Sequence, residues 1–328
     1  MSSTHNDNLA FIQCEKVREI VTRAQLHIQK MVRREGKISN FKGNNHIIQM
    51  LSGKEKFGES FVTGYYASSV CMKEDHSVHV ADDKKTCLIN AISELNNSQI
   101  AITDFNNNRL KLLDAVFEIV CVFDLPCAPN DVCRINNNSI AVALNNNTLL
   151  VFNVIESGFK LIRQIKFPFS CNAVACHKDN LYIAADTDLY TSTVKGHNRK
   201  RINNTTLEPG SVNFCKVSND GGHIYITGNN EIVIADISSH SFDRIDKHPG
   251  MKDSRGMHIT ECGNVLVCDQ GRQRVFIMEG KRLSSFIDSL EYCPPMPIAV
   301  CYTRHNPCLI IGHQDRNTIT VLRLNISI

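Results

Sequence analysis

The sequence of 328 residues lacks several features that would assign it to a function class. It has no tryptophan, and aromatic residues make up only 7% of the chain. No apolar run approaches the length of a membrane-spanning helix. The polar N-terminus, MSSTHNDNLA, has no basic-then-apolar signal pattern. We therefore expect a cytoplasmic protein.

No C-x-x-C pair occurs among the 14 cysteines, so the usual ligand spacing of zinc fingers is absent. Many cysteines lie inside apolar runs, such as Cys121 in EIVCVFD and Cys268 in NVLVCDQ. Without a secretory signal, this pattern indicates reduced thiols in a protein core.

Charge is distributed unevenly along the chain. The formal net charge is +3, of which residues 1–66 contribute +4 and residues 67–328 contribute −1. The large C-terminal part therefore has no bulk positive charge with which to attract nucleic acid.

Residues 1–35 have a helical pattern. Apolar residues are spaced alternately four and three apart, which fits either one amphipathic helix or the tail of a coiled coil. We expect residues 9–35 to drive self-association or pairing with related chains, and residues 36–66, which contain several glycines, to form a connector. The apolar positions are Ala10, Cys14, Val17, Val21, Ala24, Ile28 and Met31.

From residue 67 to residue 328 the pattern changes to short alternating strands separated by turn residues, typical of an all-β protein. Six similar segments recur at steps of 41, 42, 40, 44 and 42 residues, and further strands follow each one. About 42 residues with four strands is the spacing of propeller blades. The positions in register are Ala91, Val132, Val174, Phe214, His258 and Val300.

The last repeat ends after its third strand, although a propeller must close its ring. We expect a strand that precedes the first repeat to complete the last blade. SSVCMKED (68–75) and SVHVAD (77–82) are the two candidates.

Three asparagine triplets, at 106–108, 136–138 and 145–147, invite a ligand-binding interpretation. The first and third would join the second and third strands of a blade, whereas the middle one would join the first and second strands. The triplets thus lie on opposite faces, so turn formation explains them better than recognition does.

The loops between second and third strands share one face of the ring, which we call the loop face. A partner site is one interpretation of their side chains, and an ordinary solvated rim is the other. For Asp104 with Arg109 and for Asp269 with Arg274, we favour pairs that brace each turn. The candidate binding residues are Asn108, Arg109, Gln270, Arg272, Arg274, Arg316 and Asn317.

Asparagine also recurs near the start of four innermost strands, at Asn90, Asn130, Asn172 and Asn213. A central divalent metal, as in a calcium-dependent hydrolase, would need carboxylates, and only Glu94 and Asp131 lie nearby. We expect a ring of neutral amides, with no metal and no cofactor. KGHNRKR (195–201), the most basic stretch, is expected to be a solvated hairpin.

ITDFNNNRLKLLD and VCDQGRQRVFIME resemble the core of the NHL repeat. The order of helix, connector and propeller is similar to the C-terminal half of tripartite-motif (TRIM) proteins of the NHL type. Only two blades show the Asp-to-Arg pattern well. The resemblance implies a six-bladed NHL-like propeller that recognises substrates of a ubiquitin ligase.

Complete TRIM proteins also carry a RING and B-boxes, and this sequence has neither. We therefore expect a binding scaffold that does not catalyse ubiquitin transfer and whose propeller recognises a protein partner. RNA binding, which the family also implies, is the alternative, and a propeller hydrolase is a weaker one.

Overall fold

A computed structural model describes residues 67–95, 98–156, 158–202, 212–228, 231–239, 242–245, 251–287, 292–293, 295–303 and 307–326. The predicted helix at 1–35 and connector at 36–66 lie outside these residues. No helix long and apolar enough to cross a membrane occurs in the described part. All the described strands belong to one compact unit, Tyr65–Ile328.

Six four-stranded antiparallel sheets form the blades of a propeller. The innermost strands of neighbouring blades contact one another in a closed circle, from the first blade through to the sixth and back. The predicted six-bladed all-β architecture is therefore confirmed. In chain order the strands are β1 (Ala67–Ser77), β2 (Ile89–Glu94), β3 (Ile100–Asp104), β4 (Arg109–Leu113), β5 (Ile119–Asp124), β6 (Pro129–Asn136), β7 (Ser139–Leu144), β8 (Thr148–Ile155), β9 (Gly158–Lys166), β10 (Ala173–His177), β11 (Asn180–Ala185), β12 (Asp188–Thr193), β13 (Lys200–Arg201), β14 (Phe214–Val217), β15 (His223–Gly228), β16 (Glu231–Asp236), β17 (Phe242–Ile245), β18 (Ser254–Ile259), β19 (Val265–Asp269), β20 (Arg274–Glu279), β21 (Arg282–Ile287), β22 (Pro297–Tyr302), β23 (Cys308–His313) and β24 (Thr318–Ile326).

The ring closes through its first strand. β1 pairs antiparallel with β24, so the sixth blade has the order β1-β24-β23-β22. The register runs from Ala67 opposite Ile326 to Ser77 opposite Thr318. Of the two candidate closing segments, 68–75 is thus the one that pairs, and 77–82 mostly follows it outside the sheet.

Apolar side chains hold each blade against the next. Val132 and Ile140 of the second blade pack with Ala91 and Leu110 of the first, and similar clusters fill the other joints. Cysteine side chains contribute to these clusters. All thirteen described cysteines are free thiols, and eight of them are buried. Burial raises the pKa of Cys171 to about 12, which keeps this thiol protonated and unreactive.

The asparagine triplets form turns, and the structure shows why. Asn108 and Asn147 have φ angles of 54° and 65°, a left-handed conformation that asparagine tolerates better than most residues. In the middle triplet's hairpin, the side chain of Asn136 accepts a hydrogen bond from the backbone N–H of Asn138 at 3.0 Å. The predicted placement on two opposite faces follows from the strand order.

Candidate functional site

The central channel opens on the loop face through a cavity of ≈ 290 Å³, which we call the channel mouth. Side chains from the starts of the innermost strands line it, together with three residues of the loop face: Phe105, Gln270 and Gln314. The remaining lining residues are Leu88, Asn90, Asn130, Asn172, Asn213, Phe214, Arg255 and Ile298. The predicted ring of amides therefore lies around one cavity.

Two of these amides join successive blades. The Asn90 side-chain amide donates to the carbonyl oxygens of Pro129 and Asn130, each at 2.8 Å. Asn130 repeats the contact one blade further, donating to the carbonyl of Cys171 at 2.8 Å. These side chains join the first strand of one blade to the next blade, so they hold neighbouring blades together as well as lining the channel mouth.

On the opposite side of the channel mouth, Gln270 is 7% exposed. Its side-chain nitrogen donates to Gln314 Oε1, but its own Oε1 has no hydrogen-bond partner among the described residues. Arg255 lines the same cavity, and its Nη2 donates to Asp253 at 3.0 Å. The channel mouth is thus lined by a glutamine whose buried oxygen is unpartnered and by a guanidinium that is already paired.

Asp131, a carboxylate considered for metal binding, is committed to structure. It is buried, and it accepts the backbone N–H groups of Val132 at 2.8 Å and Val174 at 3.0 Å. Lys216, two blades away, approaches it at 3.3 Å. No carboxylate lines the channel mouth among the described residues, so this cavity has no hard anionic ligand for a divalent cation.

A second group of charges, which we call the closure cluster, lies where the ring closes. It consists of Asp83, Cys87, Asp104, Arg109 and Lys111. Lys111 is fully buried, and its ammonium donates to Asp83 at 2.7 Å, to Asp104 at 2.8 Å and to the Val78 carbonyl at 2.7 Å. Through these contacts of Lys111 with Val78 and Asp83, the cluster holds the segment after β1 against the first blade.

The closure cluster has a metal-like geometry, because Asp83, Cys87 and Asp104 converge on one point. The Lys111 ammonium occupies that point and lies 3.5 Å from the Cys87 sulfur. Burial alone would lower the pKa of Lys111, but its hydrogen bonds to Asp104 and Asp83 raise it. A permanent ammonium ion therefore stands where a metal would bind.

Sequence reasoning missed Lys111, although a signal was present. In RLKLLD, a lysine stands in the middle of a leucine-rich strand, and a buried lysine must find carboxylates. It also missed Phe105 and Gln314 of the channel mouth, because loop residues show no periodicity that would place them near the axis.

The predicted candidate residues divide into two groups. Arg109, Arg316 and Asn317 bind other parts of the ring. Arg109 donates to Asp83 at 2.8 Å and to Asp124 at 2.9 Å. Arg316 donates to Asp75 at 3.0 Å. The side-chain oxygen of Asn317 accepts the backbone N–H of Cys87 at 3.0 Å.

The other candidates are available to a partner to different degrees. Asn108 and Arg272 are exposed on the loop face, Arg274 is half-buried, and Gln270 reaches the channel mouth. The structure therefore brings only Gln270 into the cavity itself.

The predicted pairs of Asp104 with Arg109 and of Asp269 with Arg274 are wrong, because each aspartate binds other groups. Asp104 and Arg109 are opposite each other in the register of β3 and β4, yet their side chains bind elsewhere. Asp104 accepts the Leu88 N–H at 3.1 Å in addition to Lys111. Asp269 accepts the N–H groups of Lys252 at 3.0 Å and Asp253 at 2.9 Å. Both aspartates are fully buried, and a buried carboxylate takes the nearest backbone donors.

The closing blade contains a buried histidine. His313 Nε2 lies 3.0 Å from Thr320 Oγ1, and the Thr320 hydroxyl donates to Asp75 of the closing strand at 2.6 Å. The hydroxyl proton points to Asp75, so His313 donates through Nε2. Burial lowers the pKa of His313 to about 4, and the imidazole is neutral near pH 7.

Comparisons with known proteins extend to the fold and no further. No protein-family model and no curated protein matches the chain. A structural genomics protein of unknown function from Bacteroides thetaiotaomicron is similar over 79% of this chain and 74% of its own, with a TM-score of 0.63 and 14% identity.

Two lyase structures are also similar. Virginiamycin B lyase from Staphylococcus aureus, as a catalytically inactive variant with quinupristin, has a TM-score of 0.57 and 10% identity, covering 77% of this chain and 100% of its own. A streptogramin B lyase structure has a TM-score of 0.54 and 10% identity, covering 77% and 98%. At such identities the likeness shows a shared fold alone.

Proposed function

We propose that this protein is a non-catalytic binding scaffold whose loop face, centred on the channel mouth, recognises a protein partner. The observation that carries the proposal is the chemistry of the cavity. Amides, apolar side chains and one paired guanidinium line it. Such a surface can hold a polar side chain by hydrogen bonds, but it supplies no evident nucleophile or general base.

The size and the free acceptor of the channel mouth favour a side chain of a partner. The volume of ≈ 290 Å³ lies at the lower end of small-molecule sites, which begin at about 300 Å³. The Oε1 atom of Gln270 is buried and unpartnered, so rotation of this amide towards the cavity would let it accept an N–H or O–H donor from an inserted residue. Exposed Arg272 and Asn108 on the surrounding loops would contact the rim of the same partner.

The resemblance of two blades to NHL repeats supports a finer proposal. On that basis the partner would be a substrate or regulator in the ubiquitin pathway, and the chain would act as the recognition half of a TRIM-like protein in the cytoplasm. Residues 9–35 would pair it with itself or with complete TRIM proteins.

RNA binding remains the alternative that the family resemblance implies. The propeller's net charge of −1 does not favour it, because phosphate contacts need lysine and arginine. A calcium-dependent hydrolase is disfavoured by the amide lining of the channel mouth.

Selection of peptides from a random display library on the full chain tests the proposal. We expect peptides whose affinity falls about tenfold or more in a Gln270→Leu/Arg272→Ala variant, because removal of buried contacts costs about 1.4 kcal/mol or more. The matched control is Glu118→Ala/Arg282→Ala, which removes two exposed side chains at hairpins of the opposite face and should leave binding unchanged.

The same selection can overturn the proposal. If every selected peptide binds the wild type and the Gln270→Leu/Arg272→Ala variant equally, recognition does not use the channel mouth. Tight binding of single-stranded RNA that is lost in this variant would assign the loop face to nucleic acid instead.

A further inference from the structure

One stretch of the propeller has a charge opposite to that of the rest. Residues 158–201 hold eight lysines and arginines against three aspartates, a net charge of +5, whereas residues 67–328 as a whole carry −1. All eight basic side chains are exposed. A local excess of this size creates an attractive potential for anionic partners.

Packing brings several of these cations together between the outer strands of the second and third blades. The loop after β12 lies against β9, because a Cβ added at Gly196 would come within 2.9 Å of Ile165 Cγ2. Arg199 reaches across the same joint, with its guanidinium carbon 4.8 Å from the centre of the Phe167 ring. The hairpin 195–201 is therefore exposed, as expected, but it is packed on a neighbouring blade.

A β-bulge in β9 directs its charges towards this joint. The register slips between Val151 and Phe152 of β8, leaving Ile162 as the extra residue. Before the bulge, Phe159 packs with residues of the first blade, and after it Ile165 packs with residues of the third. Arg163 is two residues before Ile165 and so shares its side of the strand.

We propose that the basic groove formed by Lys160, Arg163, Lys195 and Arg199 is a second docking site, which binds an acidic polypeptide segment carrying apolar side chains. Three of the four cations make no ion pair or side-chain hydrogen bond with the described residues; Arg199 is the exception, donating to the Gly196 carbonyl at 2.9 Å. Ile162, the extra residue of the bulge, is 46% exposed and provides an apolar contact.

Two observations select this occupant. The chain's own residues 1–66 carry +4, so they would be repelled by the groove rather than fill it. Nucleic acid is disfavoured because the aromatic faces are occupied: Phe169 and Tyr190 stack on each other at 3.8 Å, and Arg199 covers Phe167. Proteins that bind single-stranded nucleic acid stack its bases on open aromatic faces.

Docking through side chains fits this edge better than strand addition. The bulge at Ile162 interrupts the regular hydrogen-bonding edge of β9, and bulges protect edge strands from pairing with another chain. The proposal concerns the side of the ring and does not depend on the channel mouth.

Fluorescence anisotropy of the full chain with a labelled peptide of Glu-Glu-Ile-Glu repeats, at low salt, tests the groove. We expect saturable binding that reversal of two cations, Arg163→Glu/Lys195→Glu, weakens about tenfold or more, since like charges replace opposite ones. The control Lys84→Glu/Lys85→Glu reverses the same amount of exposed charge elsewhere and should weaken binding less than twofold. A peptide with Gln in place of Glu should not bind.

Thermal unfolding must show that both variants keep the wild-type fold, and the milder Arg163→Gln/Lys195→Gln replaces the reversal if it does not. The proposal is overturned if the peptide does not bind, or if both double variants weaken binding equally. It is also overturned if a single-stranded RNA of equal charge binds more tightly than the peptide and shows the same loss in Arg163→Glu/Lys195→Glu.

Discussion

The loops 105–108 of the first blade and 145–147 of the second each contain three asparagines in equivalent positions, yet the two loops make different hydrogen bonds. In both loops the third asparagine adopts a left-handed φ and turns the chain. In the first blade, Asn107 also accepts the N–H groups of Lys84 and Lys85 at 3.1 and 3.0 Å and donates to the Lys85 carbonyl at 2.9 Å. In the second loop, the asparagine side chains make no hydrogen bond to the described residues, and the loop is held through its backbone, as from the Asn145 N–H to the Ala128 carbonyl at 3.0 Å.

The difference follows from ring closure. The segment between β1 and β2 lies against the loop of the first blade, where Asn107 can bind it. The same contrast applies to charge. Arg109 and Lys111 of the first blade are held in ion pairs with Asp83, whereas the basic side chains of residues 158–201 are exposed.

Among the predicted variants, removal of the Lys111 ammonium should cause the largest loss of stability. Lys111→Met leaves two buried carboxylates without their common partner, and we expect a loss of about 3–5 kcal/mol in the free energy of unfolding. Urea denaturation followed by circular dichroism measures it.

Two further variants sharpen that result. Lys84→Met, at an exposed position nearby, should change stability by less than about 0.5 kcal/mol. Adding Asp104→Asn to Lys111→Met should recover part of the loss, because a buried charge is removed. Equal stability of Lys111→Met and the wild type would show that the closure cluster does not hold the ring.

The buried histidine of the closing blade should make stability depend on pH. The pKa of His313 is about 4 in the folded protein, against 6.5 for an ordinary histidine, so the unfolded chain takes up a proton first as pH falls. Stability from this group is complete above pH 6.5 and is lost towards pH 4, by about 3 kcal/mol in total. Thermal melts across this range measure the loss.

His313→Gln provides the comparison for the pH series. It keeps a polar side chain near Thr320 but cannot take up the proton, so its stability should fall less than that of the wild type between pH 6.5 and 4. Parallel curves for the two proteins would contradict the assignment.

The smallest predicted effect compares the two asparagine loops directly. Asn107→Ala should destabilise the protein by about 1–2 kcal/mol, because it removes hydrogen bonds to the closing segment. Asn146→Ala, an exposed position in the second loop, should stay within about 0.5 kcal/mol. Equal losses would mean that both loops serve only as turns.

Much of the fold could be predicted from the sequence because the repeat is periodic. The steps of about 42 residues placed every innermost strand, and the missing fourth strand of the last repeat required closure by a segment near residue 68. β12, DLYTST, was overlooked because it has few large apolar residues.

The site was only partly predictable, since it depends on contacts between distant residues. The asparagines of the channel could be aligned by their position at strand starts, and they do line one cavity. The partners of Arg109 and Arg316 could not be foreseen, because Asp83 and Asp75 lie in the closing segment, outside the repeat. The spacing predicted local Asp–Arg pairs, but the buried aspartates bind backbone N–H groups instead.

Photo-cross-linking of a peptide selected on the full chain, followed by mass spectrometry of the linked residues, tests the central claim most directly. The account predicts cross-links on the loops that carry Phe105, Gln270 and Gln314, around the channel mouth. Cross-links confined to the hairpins of the opposite face, such as 136–139 or 218–223, would contradict it.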